Sequence, residues 1–256
     1  MLLPEKFMLV SIILPVHNCE EYLSEALRSL LKQSYKNIEI IAVDDCSKDN
    51  SFKILKTFAK KYKKVRAYKN VKKYGTAVTL NRLIKKVKSK SKFIAFMDPS
   101  DISSLHRIKR QVQYLVKNPE TVVVGSQCKF IDTGGKLLRK SDFPCKNRFI
   151  YQSPLHGISI QFETVLINRT LLPKDILKFN ATSKPFIYSD VFIKLLPYGK
   201  FANLKYYLYS RRSNPSAYPQ DLRKHIVSLV KLWVNSIFNY DYRPSLRSIF
   251  SPIARR

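Results

Sequence analysis

The first hundred residues alternate between short, almost continuous apolar runs and stretches with helical spacing. Residues 10–16, 38–43, 65–68 and 93–97 read as strands. Between the first two, Asn18 offers a helix cap, with Glu21 three residues on closing a capping box. Leu23, Ala26, Leu27, Leu30 and Leu31 then fall on one face. Ser47, Asp49 and Asn50 offer caps for a second helix whose apolar face is Leu55, Phe58, Ala59 and Tyr62. Gly75-Thr76 opens a third, with Ala77, Leu80, Ile84 and Val87 on one side. Strands alternating with helices in this way predict a doubly wound, mainly parallel α/β sheet. Strands this uniformly apolar are expected to be buried on both faces.

The second half is less regular. A helix is expected over 104–116, with Ile108, Val112 and Leu115 in period, and another around 190–196. Residues 121–131, 158–167 and 201–211 read as strands, the first two with antiparallel edge character. A last helix is expected over 221–238, with Leu222, Ile226, Leu229, Val230, Trp233 and Ile237 in period. The tail, residues 243–256, mixes Leu246, Ile249, Phe250 and Ile253 with four arginines. It fits either a helix capping the core or an interfacial membrane helix.

Three of the four leading strands stop abruptly in polar residues: His17-Asn18, Asp44-Asp45, and Asp98-Pro99-Ser100-Asp101. Carboxyl ends of parallel strands are where open α/β sheets hold ligands. A carboxylate at Asp44 or Asp45 can accept the imide N–H of a uracil or bond a ribose, though either can equally cap a helix. Asp98 and Asp101 can hold Mg²⁺ or Mn²⁺ against a diphosphate, though an Asp-x-x-Asp also forms turns.

Composition narrows the classes. Six glycines in 256 residues argue against a glycine-rich phosphate loop. The four cysteines and four histidines are scattered without metal-ligand spacing, which predicts free thiols and no His-based metal site. No apolar run approaches the ~18–20 residues that span a bilayer, and the start lacks the layout of a signal peptide. A cytoplasmic location is expected. The net charge of +29 implies an anionic partner, and residues 50–97 contain no Asp or Glu. An anionic membrane surface fits better than nucleic acid, because no nucleic-acid-binding signature accompanies the lysines.

Together these segments resemble family 2 glycosyltransferases of the GT-A type. Ser11-Ile12-Ile13-Leu14-Pro15-Val16-His17-Asn18 is similar to the family's opening strand, and Val43-Asp44-Asp45-Cys46-Ser47-Lys48-Asp49-Asn50-Ser51 to its VDDGSTDNS signature. Residues 93–103 resemble its YIAFMDADDIS segment, with Arg107 and Gln111 continuing the match. Residues 195–204 resemble a downstream stretch. The resemblance covers residues 8–215 as one domain and leaves 216–256 as a basic, amphipathic helical tail. It implies inverting transfer from a nucleotide-sugar donor, a UDP-sugar, to a glycan or lipid-linked acceptor in cell-envelope polysaccharide synthesis. It also implies a peripheral site on the cytoplasmic face of the membrane. By carry-over, Asp44 and Asp45 with Pro15, Val16 and Asn18 form the nucleotide pocket, and Asp98 approaches the diphosphate. Asp98 and Asp101 would hold Mg²⁺ or Mn²⁺. The chain departs from the pattern at three places. Ser100 replaces the second metal carboxylate, Cys46 the turn glycine, and Ile187-Tyr188 the Glu-Asp pair that carries the base, leaving Asp190 as the nearest acid. These departures motivate an alternative: a sugar-nucleotide-binding or scaffold relative without turnover.

Overall fold

The computed structural model describes residues 8–151, 160–184, 186–212, 226–240 and 242. The four leading runs form β1 (Leu9–Val16), β2 (Ile38–Asp44), β3 (Val65–Lys69) and β4 (Ser91–Phe96). They pair in parallel in the order β3-β2-β1-β4, with Val16 opposite Asp44. The helices between them are α1 (Glu20–Leu31), α2 (Ser51–Lys61) and α3 (Thr76–Lys85). The chain winds outward from β1 in both directions, so the carboxyl ends of β1 and its neighbours border a crevice.

Alternation along the strands divides the core into two layers. Val10, Ile12, Leu14 and Val16 pack with Leu23 and Leu27 of α1, Leu55 of α2, and Ile108 and Val112 of α4 (Arg107–Lys117). Ile13, Ile41 and Val43 face the other way. They pack with Leu80 and Leu83 of α3 and with Val191 and Ile193 of α6 (Ile187–Leu195), a helix that begins three residues before the expected 190.

The second half extends the same sheet. β5 (Ile102–Ser103), β6 (Thr121–Ile131), β7 (Leu137–Lys140), β8 (Leu166–Asn168) and β9 (Lys200–Arg212) complete the order β3-β2-β1-β4-β8-β6-β9-β5, with β7 on β6. A short helix, α5 (Asn147–Tyr151), precedes β8, and α7 (Ile226–Tyr240) follows β9. At Gly199, between α6 and β9, a Cβ would come within 2.5 Å of the Glu120 carbonyl, and φ is +154°. Only glycine lets the chain turn there.

Several expectations are corrected. The capping box does not form: Cys19 holds the N-cap of α1 without a side-chain bond, and Asn18 takes φ 47° and bonds elsewhere. Of the expected strand at 158–167, only its end pairs. Phe162–Thr164 is a 3-10 turn, residues 158–159 lie outside the described residues, and β8 sits inside the sheet, antiparallel to β4 and β6. β8 is thus antiparallel as expected but not at an edge, and β6, also expected at an edge, lies between β8 and β9, antiparallel to the first and parallel to the second. The boundary at 215/216 and the tail at 243–256 lie outside the described residues. Within residues 216–256, α7 carries one cation, Lys231, and packs on the core through Leu232. Among the described residues no helix is long and apolar enough to cross a membrane.

Candidate functional site

The loops after β1 and β2 are laced together. The Asn18 N–H donates to Ser47 Oγ (3.0 Å), and Asn18 Oδ1 accepts from the Lys48 N–H (2.9 Å). The Glu20 N–H donates to Asp49 Oδ2 (2.9 Å), and Glu20 Oε2 accepts from the Asn50 N–H (2.8 Å). Reciprocal bonds of this kind fix two loops against each other before any ligand arrives. The left-handed φ of Asn18 is what turns its amide toward the second loop.

Asp44 is fully buried at the end of β2. Oδ2 accepts from the Ser47 N–H (3.1 Å), while Oδ1 is buried with no protein partner. A buried carboxylate oxygen left open is costly unless a donor arrives, and this one lies beside Val16, its register partner. Half-buried Pro15 and exposed Asn18 flank it on β1 and the following loop. His17 Nδ1 is likewise buried without a partner.

Asp45 does different work. Its carboxylate accepts from the N–H groups of Tyr74 (2.9 Å) and Gly75 (2.7 Å) and from Asn70 Nδ2 (2.7 Å). Burial by itself would push this carboxyl up; the bonds from Tyr74, Asn70 and Gly75 outweigh it and hold the carboxyl below its usual range. Asp45 therefore ties β2 to the loop that opens α3, and its oxygens are already taken.

At the end of β4, Asp98 is half-buried, and its Oδ1 accepts from the Ser100 N–H (2.9 Å). Its own N–H donates to the Tyr209 hydroxyl (3.1 Å). Burial pushes its carboxyl up, the Glu163 charge adds to this, and the Arg211 charge opposes it. Asp101 turns inward: Oδ1 accepts from the Arg212 N–H (2.7 Å), tying the β4 end to β9. Burial, and then the charges of Asp98 and Glu163, push its carboxyl well up.

A metal cage is not built here: among the described residues no group of three or more His, Cys, Asp or Glu could hold an ion. Mg²⁺ and Mn²⁺ do not require one, since one or two carboxylates plus substrate phosphates suffice. Asp98, half-buried at a strand end, fits that role. Asp101 is more deeply placed: its Oδ1 is taken by the Arg212 N–H, and its Oδ2 is buried without a protein partner.

Asp190 has no exposed surface, and its Oδ2 pairs with Lys194 Nζ at 2.5 Å one turn along α6. Its Oδ1 is buried without a protein partner. Tyr188, at the position where the resemblance expects the base, stacks on Phe162 with ring centroids 4.0 Å apart. Burial pushes its hydroxyl well above the usual tyrosine range.

Sequence reasoning missed Glu163. It lies in the 3-10 turn next to Phe162, accepts from Gln161 Nε2, and faces Asp98, Asp101 and Tyr188 electrostatically. An acid inside an otherwise apolar run, Phe162-Glu163-Thr164-Val165-Leu166-Ile167, was the available signal. Arg107 was noted only as part of a match. Its guanidinium is fully buried and donates to the carbonyls of Phe96 (2.9 Å), Glu163 (2.9 Å) and Val165 (3.3 Å). It thereby joins the end of β4 to the Glu163 turn. Burial lowers its pKa to about 10.

Against known proteins, the sequence profile described as Glycosyl transferase family 2 matches residues 11–173. An uncharacterized glycosyltransferase of Haemophilus influenzae is 31% identical over 63% of this chain and 62% of its own length. The Escherichia coli protein named UDP-Glc:alpha-D-GlcNAc-diphosphoundecaprenol beta-1,3-glucosyltransferase WfgD is 31% identical over 71% of this chain and 66% of its own. The chain thus spans less than two thirds of the length of either. Among solved structures, S. aureus TarS 1-349 in complex with UDP-GlcNAc covers 95% of this chain and 73% of its own at TM-score 0.72 and 20% identity. The mannosyltransferase PcManGT of Pyrobaculum calidifontis, solved with GDP-Man and Mn²⁺, covers 98% and 69% at TM-score 0.66 and 14% identity. At such identities these two share the fold.

Proposed function

The chain belongs to glycosyl transferase family 2, and from that premise we propose that it transfers a sugar from a nucleotide-sugar donor to a glycan or lipid-linked acceptor. The observation that carries the reading is the open, buried Oδ1 of Asp44 at the end of β2. It is a ready acceptor for a ring N–H of the donor's base, with Pro15, Val16 and Asn18 beside it. A UDP-sugar is the favoured donor: uracil offers such an N–H, WfgD is named for UDP-Glc, and TarS was solved with UDP-GlcNAc. The name of WfgD also supports an acceptor carried on a lipid diphosphate, and that of the Bacillus subtilis relative TuaG, named for teichuronic acid biosynthesis, supports a part in envelope glycan synthesis.

The reaction is an inverting displacement. The acceptor oxygen attacks the anomeric carbon, the bond from that carbon to the diphosphate breaks, and its electron pair stays with the departing nucleoside diphosphate. The hydroxyl proton must pass to a base. Glu163 is assigned that role instead of Asp190, whose carboxylate is committed to Lys194. Asp98 would hold a divalent cation jointly with the diphosphate. That ion, when bound, supplies charge against the leaving group. Arg211, whose charge reaches Asp98, offers a second cation on the same side.

The test pairs donor binding by calorimetry with turnover across a panel of sugar nucleotides. Glu163→Gln is expected to lower kcat about 10²- to 10⁴-fold with donor affinity kept, and Asp190→Asn to leave kcat within a few-fold. Wild-type binding without turnover, by transfer or by hydrolysis, would favour the non-catalytic alternative. A fully active Glu163→Gln would remove Glu163 as base.

A further inference from the structure

Among the described residues, exposed apolar side chains gather on α7. Val227, Val230, Val234, Ile237 and Phe238 are 68, 48, 43, 37 and 81% exposed. At about 100° per residue these five fall within an arc of roughly 100° on one side of the helix. Leu232 and Ser236 on the other side are buried. Tyr242, just beyond the helix, anchors it through a hydroxyl bond to the Tyr151 carbonyl (2.8 Å). The helix is thus held against the body by one face and presents on the other an apolar stripe that none of the described residues covers. Contiguous exposed apolar surface of this kind marks an interaction site.

Charge decides among occupants. α7 contains no acidic residue, and Lys231 stands exposed beside the stripe. In the sequence, Arg223 and Lys224 come shortly before the helix, and Arg243 and Arg247 shortly after it. Two copies meeting through this face would bring together chains of net charge +29 each. An anionic lipid surface would accept the stripe and gain from the flanking cations. Fifteen residues make a helix of roughly 22 Å, short of the ~30 Å hydrocarbon core, so it would lie in the interface rather than span it.

We propose that the Val227–Val230–Val234–Ile237–Phe238 face of α7 is the surface by which the protein seats itself in the headgroup layer of an anionic membrane. This deepens the transferase reading and rests on it for its purpose. α7 packs on α6, with Lys194 over the Tyr240 ring (5.4 Å). α6 also carries Tyr188, stacked on Phe162 beside Glu163. α7 is thus coupled through α6 to the turn that carries Glu163.

The experiment is flotation of the full chain with vesicles of phosphatidylcholine alone or of phosphatidylcholine mixed with the anionic lipid phosphatidylglycerol. The wild type should float with the anionic vesicles and remain behind with neutral ones. Val230→Glu/Val234→Glu/Phe238→Glu should reduce bound protein at least tenfold, and Phe238→Ser alone severalfold, with the affinity for UDP unchanged by calorimetry as proof of folding. Flotation of the triple variant at wild-type level overturns the proposal. So does a wild type that ignores anionic vesicles, as it would if the stripe were covered by the chain's own tail. So does a wild-type dimer in light scattering that the triple variant converts to monomer, which would assign the stripe to a second copy. Donor turnover is scored separately: flotation without turnover on any donor sinks the transferase reading and leaves this surface standing.

Discussion

Replacing Arg107 by methionine tests how the site is held together. The guanidinium has no carboxylate partner, so the fold bears the cost of burying its charge. Against that cost it fills the lone pairs of three buried carbonyls. Two of the bonds are 2.9 Å long, and the third carbonyl, Val165, also accepts from the Phe96 N–H (3.4 Å), so only Phe96 and Glu163 depend on it strongly. Bonds to a charged group contribute about 1.5–3 kcal/mol each, which puts the loss at about 3–6 kcal/mol. Methionine matches most of the volume and relieves the desolvation of the charge, which offsets part of this. The net expectation is a destabilisation of about 2–4 kcal/mol. It should appear in urea denaturation as a lower midpoint at unchanged slope. Arg107→Lys should recover only part, because one ammonium cannot span three carbonyls on two elements. Since these bonds tie the end of β4, just before Asp98, to the Glu163 turn, turnover should fall more than donor affinity at Asp44. A variant within about 0.5 kcal/mol of wild type, or a more stable one, would refute the reasoning: the buried charge would then cost as much as its bonds return.

Cys46 holds a left-handed φ of 60° where the family carries glycine. Cys46→Gly removes about 1–2 kcal/mol of strain and adds about 0.5–1 kcal/mol of chain entropy cost, so a small rise in Tm is expected and a fall would contradict the strain argument. Asp45 has a carboxyl held below its unfolded value of 3.8, so its stabilisation is present above that pH and lost as pH falls through the lower folded value. Asp45→Asn should therefore be less stable than wild type at neutral pH, with the gap closing only below pH 3.8; a gap that already closes by pH 6 would assign the effect to another group. With Ser100 in place of a second carboxylate, Mn²⁺ should bind the free protein weakly and the UDP complex at least tenfold more tightly by calorimetry; equal affinities would mean a protein cage and not a site shared with phosphate.

The two halves of the site differed in how legible they were, and the reason is physical. The nucleotide half is set by local pattern: an apolar strand that stops at a carboxylate, twice, with a helix between. The abrupt end of an apolar run marked Asp44 and Asp45 together, yet it could not separate their surroundings. Neighbouring side chains on a strand point to opposite faces, and which face held the crevice depended on α3 and the loop at Tyr74-Gly75, which capture Asp45. The acceptor half depends on contacts across long stretches of chain. Arg107 reaches carbonyls 56 and 58 residues away, and Arg212 reaches Asp101 from 111 residues away. No spacing rule encodes such pairs.

Asp190 shows that some of the missing information was nonetheless in the sequence. An acid four residues before a lysine on a helix is an ion pair by default, and Asp190 with Lys194 obeys that rule. Glu163 carries the opposite lesson. It interrupts an apolar run, and burying an acid there is costly unless something compensates. The compensation is the turn itself: Phe162–Thr164 leaves the strand, so Glu163 meets Gln161 and the Asp98 side of the crevice instead of the core. The proposed base therefore rests on an acid that breaks an apolar run and is met by a turn, in preference to an acid whose ion-pair partner sits one turn along its own helix.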